Sequence, residues 1–249
     1  MLRRERKTAL MIALLLAVIA VLLGWYFMQD ADIPGVTLAD QVSAGDSAAQ
    51  APPQNPMAHV EITVENVQDV IATLARPEHY VRQISKTRYW DGGASFGTTT
   101  AEIWTTPEAL RIRWADGNNM LITEEAYHLW FGGGAPITRP VTAALGESLD
   151  RILDRLQGIP SYETVLELDI AQIISADYIR RTLDGEVRYT IRVAVETGLL
   201  GYINYYYICL STGLLIETAT FDGEIPVYRL ETLRLTIATP EAGYFLLPS

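Results

Sequence analysis

Residues 101–131 read AEIWTTPEALRIRWADGNNMLITEEAYHLWF, a series of short strand patterns separated by polar turns. The segment LRIRW places Leu110, Ile112 and Trp114 on one face of a strand and Arg111 and Arg113 on the other. The sequences PEA, DGNN and TEEA interrupt the alternation at short intervals, as turns do. Short strands joined by tight turns are typical of an antiparallel meander.

Strand patterns continue on both sides of this segment. Residues 80–90 and 98–105 are rich in β-branched and aromatic side chains, which favour strands. After it, EVRYTIRVAVE, residues 186–196, alternates so that one face carries Val187, Tyr189, Ile191, Val193 and Val195. Further strands are predicted over 202–210, 214–221 and 227–237, with STG and FDGE as the turns between them.

Helical patterns interrupt the strands at two points. Residues 64–75 carry apolar side chains at helical spacing and stop before Pro77. A second stripe, over 149–156, ends at Gly158, and residues 161–168 are compatible with a short helix. Because an apolar sheet face needs a partner, we expect the helices to cover one face of the sheet. The predicted fold is α+β, a long curved antiparallel sheet (an incomplete β-barrel) wrapped over a few helices.

The N-terminal part of the chain predicts a membrane anchor. A basic tail, residues 1–7, precedes an uncharged apolar run of about 30 Å as a helix, the thickness of a bilayer core. We interpret residues 8–28 as a transmembrane signal-anchor helix with its N-terminus in the cytoplasm, the alternative being a cleaved signal peptide. Residues 29–57 have the composition of a flexible linker. Residues 58–249 would then form an extracytoplasmic domain of a single-pass protein in the cell membrane.

The charge and the cysteine content exclude some classes of partner. The 249 residues contain 19 Lys and Arg against 30 Asp and Glu, a net charge of −11. An acidic domain is expected to be a poor partner for nucleic acid and for anionic lipid head groups. Cys209 is the single cysteine, so no intrachain disulfide is possible, and its apolar neighbours predict a buried core residue.

The pentapeptide GASFG, residues 93–97, has the spelling of the nucleophile elbow of serine hydrolases. That elbow needs a strand, a sharp turn and a helix, whereas Ser95 lies between two strand patterns, so we interpret the segment as a hairpin. His128 is the one histidine that follows, and the three histidines are far apart and lack metal-ligand spacing. The sequence therefore predicts a protein that is not an enzyme and has no cofactor and no metal.

The order of the strand motifs resembles the LolA/LolB-like lipoprotein-carrier fold. In that family a strand ending in Leu-Trp, a basic residue and proline precedes an aromatic-basic-Trp strand. A strand of the type Leu-Ile-Val-Ser-Asp-Gly-Lys-x-Leu-Trp-Phe follows, which residues 121–131 match in length and in most apolar positions. The ending ETLRLTIATPEAGYFLLPS is similar to the last strand and Phe-x-x-Pro ending of the family. IPSYETVLELD and STGLLIETATFDGEIPVYRLE look more like its GerS-type spore-germination branch.

The resemblance implies an apolar groove that binds lipid or lipoprotein acyl chains. The apolar faces could equally be a filled core. The candidate groove residues are Leu110, Ile112, Trp114, Leu129, Phe131, Tyr189, Ile191 and Val193. This chain departs from the family at Thr106, where carriers have the arginine that ties their lid helix, and it lacks a lipid-bearing cysteine.

A protein-interaction module is the alternative function. The GerS-type resemblance implies a cell-envelope enzyme, a cell-wall amidase in spore germination, as the partner. The run GYINYYYIC offers Tyr202, Tyr205 and Tyr207 as candidate partner-binding residues. Tyrosine is favoured at interfaces because it combines apolar area with a hydroxyl. Alternate tyrosines could equally be ordinary core and surface residues of a strand.

Overall fold

The computed structural model describes residues 60–141, 147–198 and 201–248. The predicted cytoplasmic tail, anchor helix and linker, residues 1–57, lie outside the described residues, so the structure does not bear on them. Within the described residues, every helix is too short or too polar to cross a membrane.

The described residues form an eleven-stranded sheet in which every neighbouring pair of strands is antiparallel. The strands are β1 (Tyr80–Trp90), β2 (Ser95–Thr105), β3 (Ala109–Trp114), β4 (Asn118–Thr123), β5 (Ala126–Phe131), β6 (Ile137–Pro140), β7 (Ile173–Leu183), β8 (Glu186–Thr197), β9 (Tyr202–Cys209), β10 (Leu215–Asp222) and β11 (Ile225–Thr236). Their order across the sheet is β6-β5-β4-β3-β2-β1-β11-β10-β9-β8-β7.

Two meanders make up the sheet. Strands β1–β6 and β7–β11 each run in chain order, and the first and last strands, β1 and β11, pair to join them. Strand β11 also contacts β7, the other end of the second meander, and Arg234 Nε lies 3.8 Å from Asp184 Oδ1. Strands four positions apart can meet only if that half of the sheet coils. The prediction of a large antiparallel sheet with few helices is confirmed.

Three helices accompany the sheet: α1 (Val67–Thr73), α2 (Leu149–Gln157) and α3 (Tyr162–Leu166). The ends of α2 are fixed by local chemistry. Ser148 Oγ accepts a hydrogen bond from the Arg151 amide at 3.1 Å, as an N-cap does. Gly158 ends the helix in the left-handed conformation, with φ of 60°.

The apolar stripe of α2 defines the helix side of the sheet. Ile152 and Leu153 pack in one core with strand residues that include Ile84, Ile112 and Leu230. Paired residues on antiparallel strands share a face, so the register continues this face from Leu230 into the second meander through Thr218, Tyr206, Val193 and Ala176. The expectation that helices cover one face of the sheet is confirmed for α2.

The opposite face is covered in part by the end of the chain. The Tyr244 ring stacks on Trp104 with centroids 4.6 Å apart. Arg111 donates a hydrogen bond from Nη1 to the Tyr244 carbonyl at 2.8 Å. In the second meander a smaller core contains Leu183, Tyr207, Cys209 and Ile216. Cys209 is therefore a buried free thiol, as its sequence neighbours predicted.

The structure adds two strands that periodicity did not predict. Strand β6 is exposed at all four positions and contains proline, so it has no apolar alternation to detect. In β7 the sequence IISADYIRRTL mixes charged and apolar residues on each face. The GASFG segment is the hairpin that was expected: residues 91–93 form the turn, and Ser95 opens β2 opposite Trp90.

Two glycines in similar turns provide a test of how the end of α1 docks on the sheet. Gly213 and Gly223 both have left-handed backbones, with φ of 62° and 59°. A Cβ at Gly213 would lie 2.8 Å from the Ala75 carbonyl oxygen, whereas a Cβ at Gly223 meets nothing within 4 Å. We expect Gly223→Ala to cost about 1–2 kcal/mol from backbone strain. Gly213→Ala should cost about 1–3 kcal/mol more, because Ala75 must move.

Urea denaturation of the two variants measures this difference. Equal losses of stability would contradict the close packing of the β9–β10 turn against residues 74–76.

Candidate functional site: a cavity beyond the end of helix α2

A cavity of about 680 Å³ opens on the helix side of the first meander. Its volume lies within the range of about 300–1,000 Å³ that is typical of small-molecule sites. The lining residues come from β1–β6, the β3–β4 turn and the last residue of α2: Lys86, Arg88, Gly97, Thr98, Thr99, Trp114, Asp116, Asn118, Asn119, Met120, Leu129, Trp130, Phe131, Ile137 and Gln157.

Within the described residues, the cavity lies where the strands extend beyond the end of α2. The nine residues of the helix span about 14 Å, whereas the eleven residues of β1 span about 36 Å. Near the start of the helix, the strand side chains Ile103, Leu110 and Ile122 are fully buried. Beyond Gln157 the strands continue without α2 above them, and this part of the sheet faces the cavity.

The apolar wall combines buried and exposed side chains. Met120 is buried, and Trp114 and Leu129 are partly buried at the edge of the main core. Phe131 is 67% exposed and Ile137 is 61% exposed, although both are large and apolar. Exposed apolar side chains on the rim of a concave surface are typical of a binding site.

The polar wall is dominated by Lys86 and Arg88. Lys86 Nζ donates a hydrogen bond to the Gln157 carbonyl at 3.0 Å. The same ammonium lies 5.8 Å from the Trp114 ring centroid and 5.9 Å from that of Tyr228. Burial lowers the pKa of Lys86, and the charge of Arg88 lowers this pKa further. The Arg88 side chain is exposed at the surface.

Tyr228 lies beside this polar wall. Its hydroxyl donates to the Gly158 carbonyl at 3.3 Å, where α2 ends. Burial raises the pKa of Tyr228 to about 12, against a lowering by Arg88. The hydroxyl therefore ties β11 to the end of α2 while it keeps its proton.

The structure brings together part of the groove that the sequence suggested. Trp114, Leu129 and Phe131 all line the cavity. Leu110 and Ile112 are fully buried in the core beneath α2. Ile191 and Val193 are fully buried in the second meander, and Tyr189 pairs with Arg180 across β7 and β8.

Lys86, Arg88 and Ile137 are among the lining residues that sequence reasoning missed. The first two alternate on β1, in the sequence KTR, so their shared face was readable from the period of two. What the sequence did not show is which face of β1 points toward the helices. Ile137 lies on the strand that periodicity did not detect.

The candidate partner-binding tyrosines are not equally accessible. Tyr202 and Tyr205 are partly buried, and the Tyr205 ring packs edge-on against Phe221 at 5.7 Å. Tyr207 is 5% exposed and lies beneath the Arg181 guanidinium, 4.1 Å from its ring centroid. A partner would therefore reach Tyr202 or Tyr205 before Tyr207.

The residues considered as catalytic candidates, Ser95 and His128, lie in different hairpins. His128 Nδ1 lies 2.8 Å from Thr138 Oγ1 at the exposed β5–β6 pair, and Ser95 is in the β1–β2 hairpin. Within the described residues, the structure brings no three His, Cys, Asp or Glu side chains into a group that could hold a metal ion.

No protein-family model and no curated protein matches the chain. Among solved structures, a LolA superfamily protein from Nitrosomonas europaea is similar at 8% identity and a TM-score of 0.33; the match covers 75% of this chain and 98% of that one. A structure of PNGF-II is similar at 5% identity and a TM-score of 0.36, over 67% of this chain and 29% of that one. At these values neither structure assigns a function or a family to this chain.

The pKa of Tyr228 predicts how stability depends on alkaline pH. An unfolded tyrosine ionises near pH 10, about two units below the folded Tyr228. Between about pH 10 and about pH 12 the unfolded state loses this proton while the folded state keeps it, so stability falls as pH rises. Tyr228→Phe should lose less stability than the wild type over the same interval, as measured by urea denaturation.

The comparison of the two proteins near neutral pH provides the control, because there the Tyr228 hydroxyl is protonated in both states. If the stability of wild type and variant falls in parallel above pH 10, the folded state does not protect the Tyr228 proton.

Proposed function

We propose that the chain is a non-catalytic, membrane-anchored binding domain that holds an acyl chain of a lipid or lipoprotein in the cavity beyond α2. The observation that carries this proposal is the cavity itself, with Trp114, Leu129 and Phe131 on one wall. It agrees with what the sequence resemblance to the lipoprotein-carrier fold implies. The extracytoplasmic location is part of the proposal and follows from the predicted anchor over residues 8–28.

The apolar wall offers enough surface to bind an alkyl chain. Fully burying a side chain such as phenylalanine contributes about 1.5–3 kcal/mol. Phe131 and Ile137 are largely exposed in the structure, so an occupant that covers them gains a contribution of this kind from each. An alkyl chain fits this role because it supplies apolar surface with no polar groups left unpaired.

The predicted anchor suits such a ligand. A flexible linker of 29 residues has a root-mean-square span of about 30 Å. The cavity would therefore stay close to the bilayer surface, where acyl chains are available. The interaction-module alternative draws less support, because Tyr207 lies buried beneath Arg181.

A photoreactive acyl probe tests the proposal on the full-length chain in its membrane. We expect crosslinks in the peptides that contain residues 109–131, mapped by mass spectrometry. Phe131→Ser should lower the apparent affinity for the probe about tenfold, since it removes an apolar contact of about 1.4 kcal/mol.

Phe96→Ser is the matched control. Phe96 is 63% exposed, close to the 67% of Phe131, but it is not among the cavity-lining residues. Its replacement should leave crosslinking of residues 109–131 unchanged. Crosslinks confined to residues 8–28, or equal losses in the two variants, would show that the cavity does not hold the acyl chain.

A further inference from the structure

The polar part of the cavity is basic although the chain is acidic. Two cations, Lys86 and Arg88, line it together with one carboxylate, Asp116. The whole chain carries a net charge of −11, so this cluster has the opposite sign to the chain as a whole. The position of that cluster next to the apolar wall bears on what kind of molecule the cavity takes.

The Lys86 ammonium is held by one hydrogen bond and two aromatic rings. It has three N–H groups, and one reaches the Gln157 carbonyl at 3.0 Å. The Trp114 and Tyr228 rings, at 5.8 and 5.9 Å, flank the same group and position it at the cavity wall. Among the described residues, no carboxylate lies within salt-bridge distance of Lys86.

Arg88 adds a second charge on the same face. It follows Lys86 by two residues on β1, a separation of about 7 Å along the strand. In the described part of the chain it also forms no salt bridge, and its guanidinium fork suits a carboxylate or phosphate. The two cations repel each other, and burial adds to the cost at Lys86. An anion between them would relieve both effects.

Asp116 does not supply that anion. Its carboxylate oxygens accept hydrogen bonds from the Asn118 amide at 2.9 Å and from Asn118 Nδ2 at 2.8 Å. These bonds hold the side chain in the β3–β4 turn. The cavity therefore combines an apolar wall with two cations that lack a carboxylate partner within the described residues.

We infer that the occupant of the cavity is an amphiphile with an anionic head group. The alkyl chain lies against Trp114, Leu129 and Phe131, and the head group binds Lys86 and Arg88. This inference rests on the proposed function and names the class of ligand. A neutral or cationic amphiphile would leave the two cations unpaired, and would bind less tightly for that reason.

Competition against the photoreactive acyl probe tests the inference on the full-length chain in vesicles of neutral lipid. The competitors are dodecyl phosphate, dodecyl maltoside and dodecyl trimethylammonium, which share one tail and differ in head-group charge. We expect dodecyl phosphate to displace the probe from residues 109–131 at a concentration about tenfold lower than dodecyl maltoside, since hydrogen bonds to charged groups are the strong ones. Dodecyl trimethylammonium should be the weakest competitor.

Variants assign the preference to the two cations. Arg88→Gln and Lys86→Gln should each reduce the preference for dodecyl phosphate. In the double variant, dodecyl phosphate and dodecyl maltoside should displace the probe at equal concentrations. Lys86→Arg keeps the charge and should retain most of the preference. Arg180→Gln removes the same charge from an exposed position on β7, away from the cavity, and should change nothing.

The outcomes separate this inference from the proposed function. If the three competitors displace the probe equally in the wild type, the cavity binds alkyl chains but does not select an anion, and the inference is wrong. If the Arg180→Gln control loses the preference as well, the selection comes from overall charge and not from Lys86 and Arg88. If the probe does not label residues 109–131 at all, the proposed function itself fails.

Discussion

The difference in length between helix α2 and the strands beneath it separates the part of the sheet that is core from the part that lines the cavity. One amphipathic helix of nine residues can shield only the strand segments directly below it. Where it stands, Ile103, Leu110 and Ile122 are sealed from water. Beyond Gly158, which ends the helix, described residues of the same sheet face line the cavity. A structural core and a candidate binding site thus share one continuous surface.

The end of the helix also organises the polar chemistry of the cavity. The last carbonyls of a helix lack partners within the helix. Lys86 and Tyr228 donate to the carbonyls of Gln157 and Gly158, and so connect β1 and β11 to the end of α2. Lys86 is held at the cavity wall by its hydrogen bond to the Gln157 carbonyl at the end of α2. The fold thereby places a cation beside apolar side chains without a salt bridge to neutralise it among the described residues.

In the second meander, one face of the sheet is covered by other strands of the same meander. Its coil brings β7 against β11, so side chains on the face away from the helices bury one another. Cys209 and Tyr207 are enclosed there, and the Arg181 guanidinium covers the tyrosine ring. Ile191 and Val193 lie on the other face of this meander, the helix side, and both are fully buried, whereas Phe131 in the first meander is exposed.

The sequence by itself determined the meander, because alternation in LRIRW or EVRYTIRVAVE is a local property with a period of two. It likewise predicted the helical stripe over 149–156 that ends at Gly158. It suggested Trp114, Leu129 and Phe131 as groove residues together with Leu110 and Ile112, but only the tertiary structure showed that the last two, on the same strand as Trp114, are core. That separation depends on where a helix from a distant part of the chain ends over the sheet. The pairing of β1 with β11, and the face of β1 that bears Lys86 and Arg88, are likewise set by contacts between residues far apart in sequence.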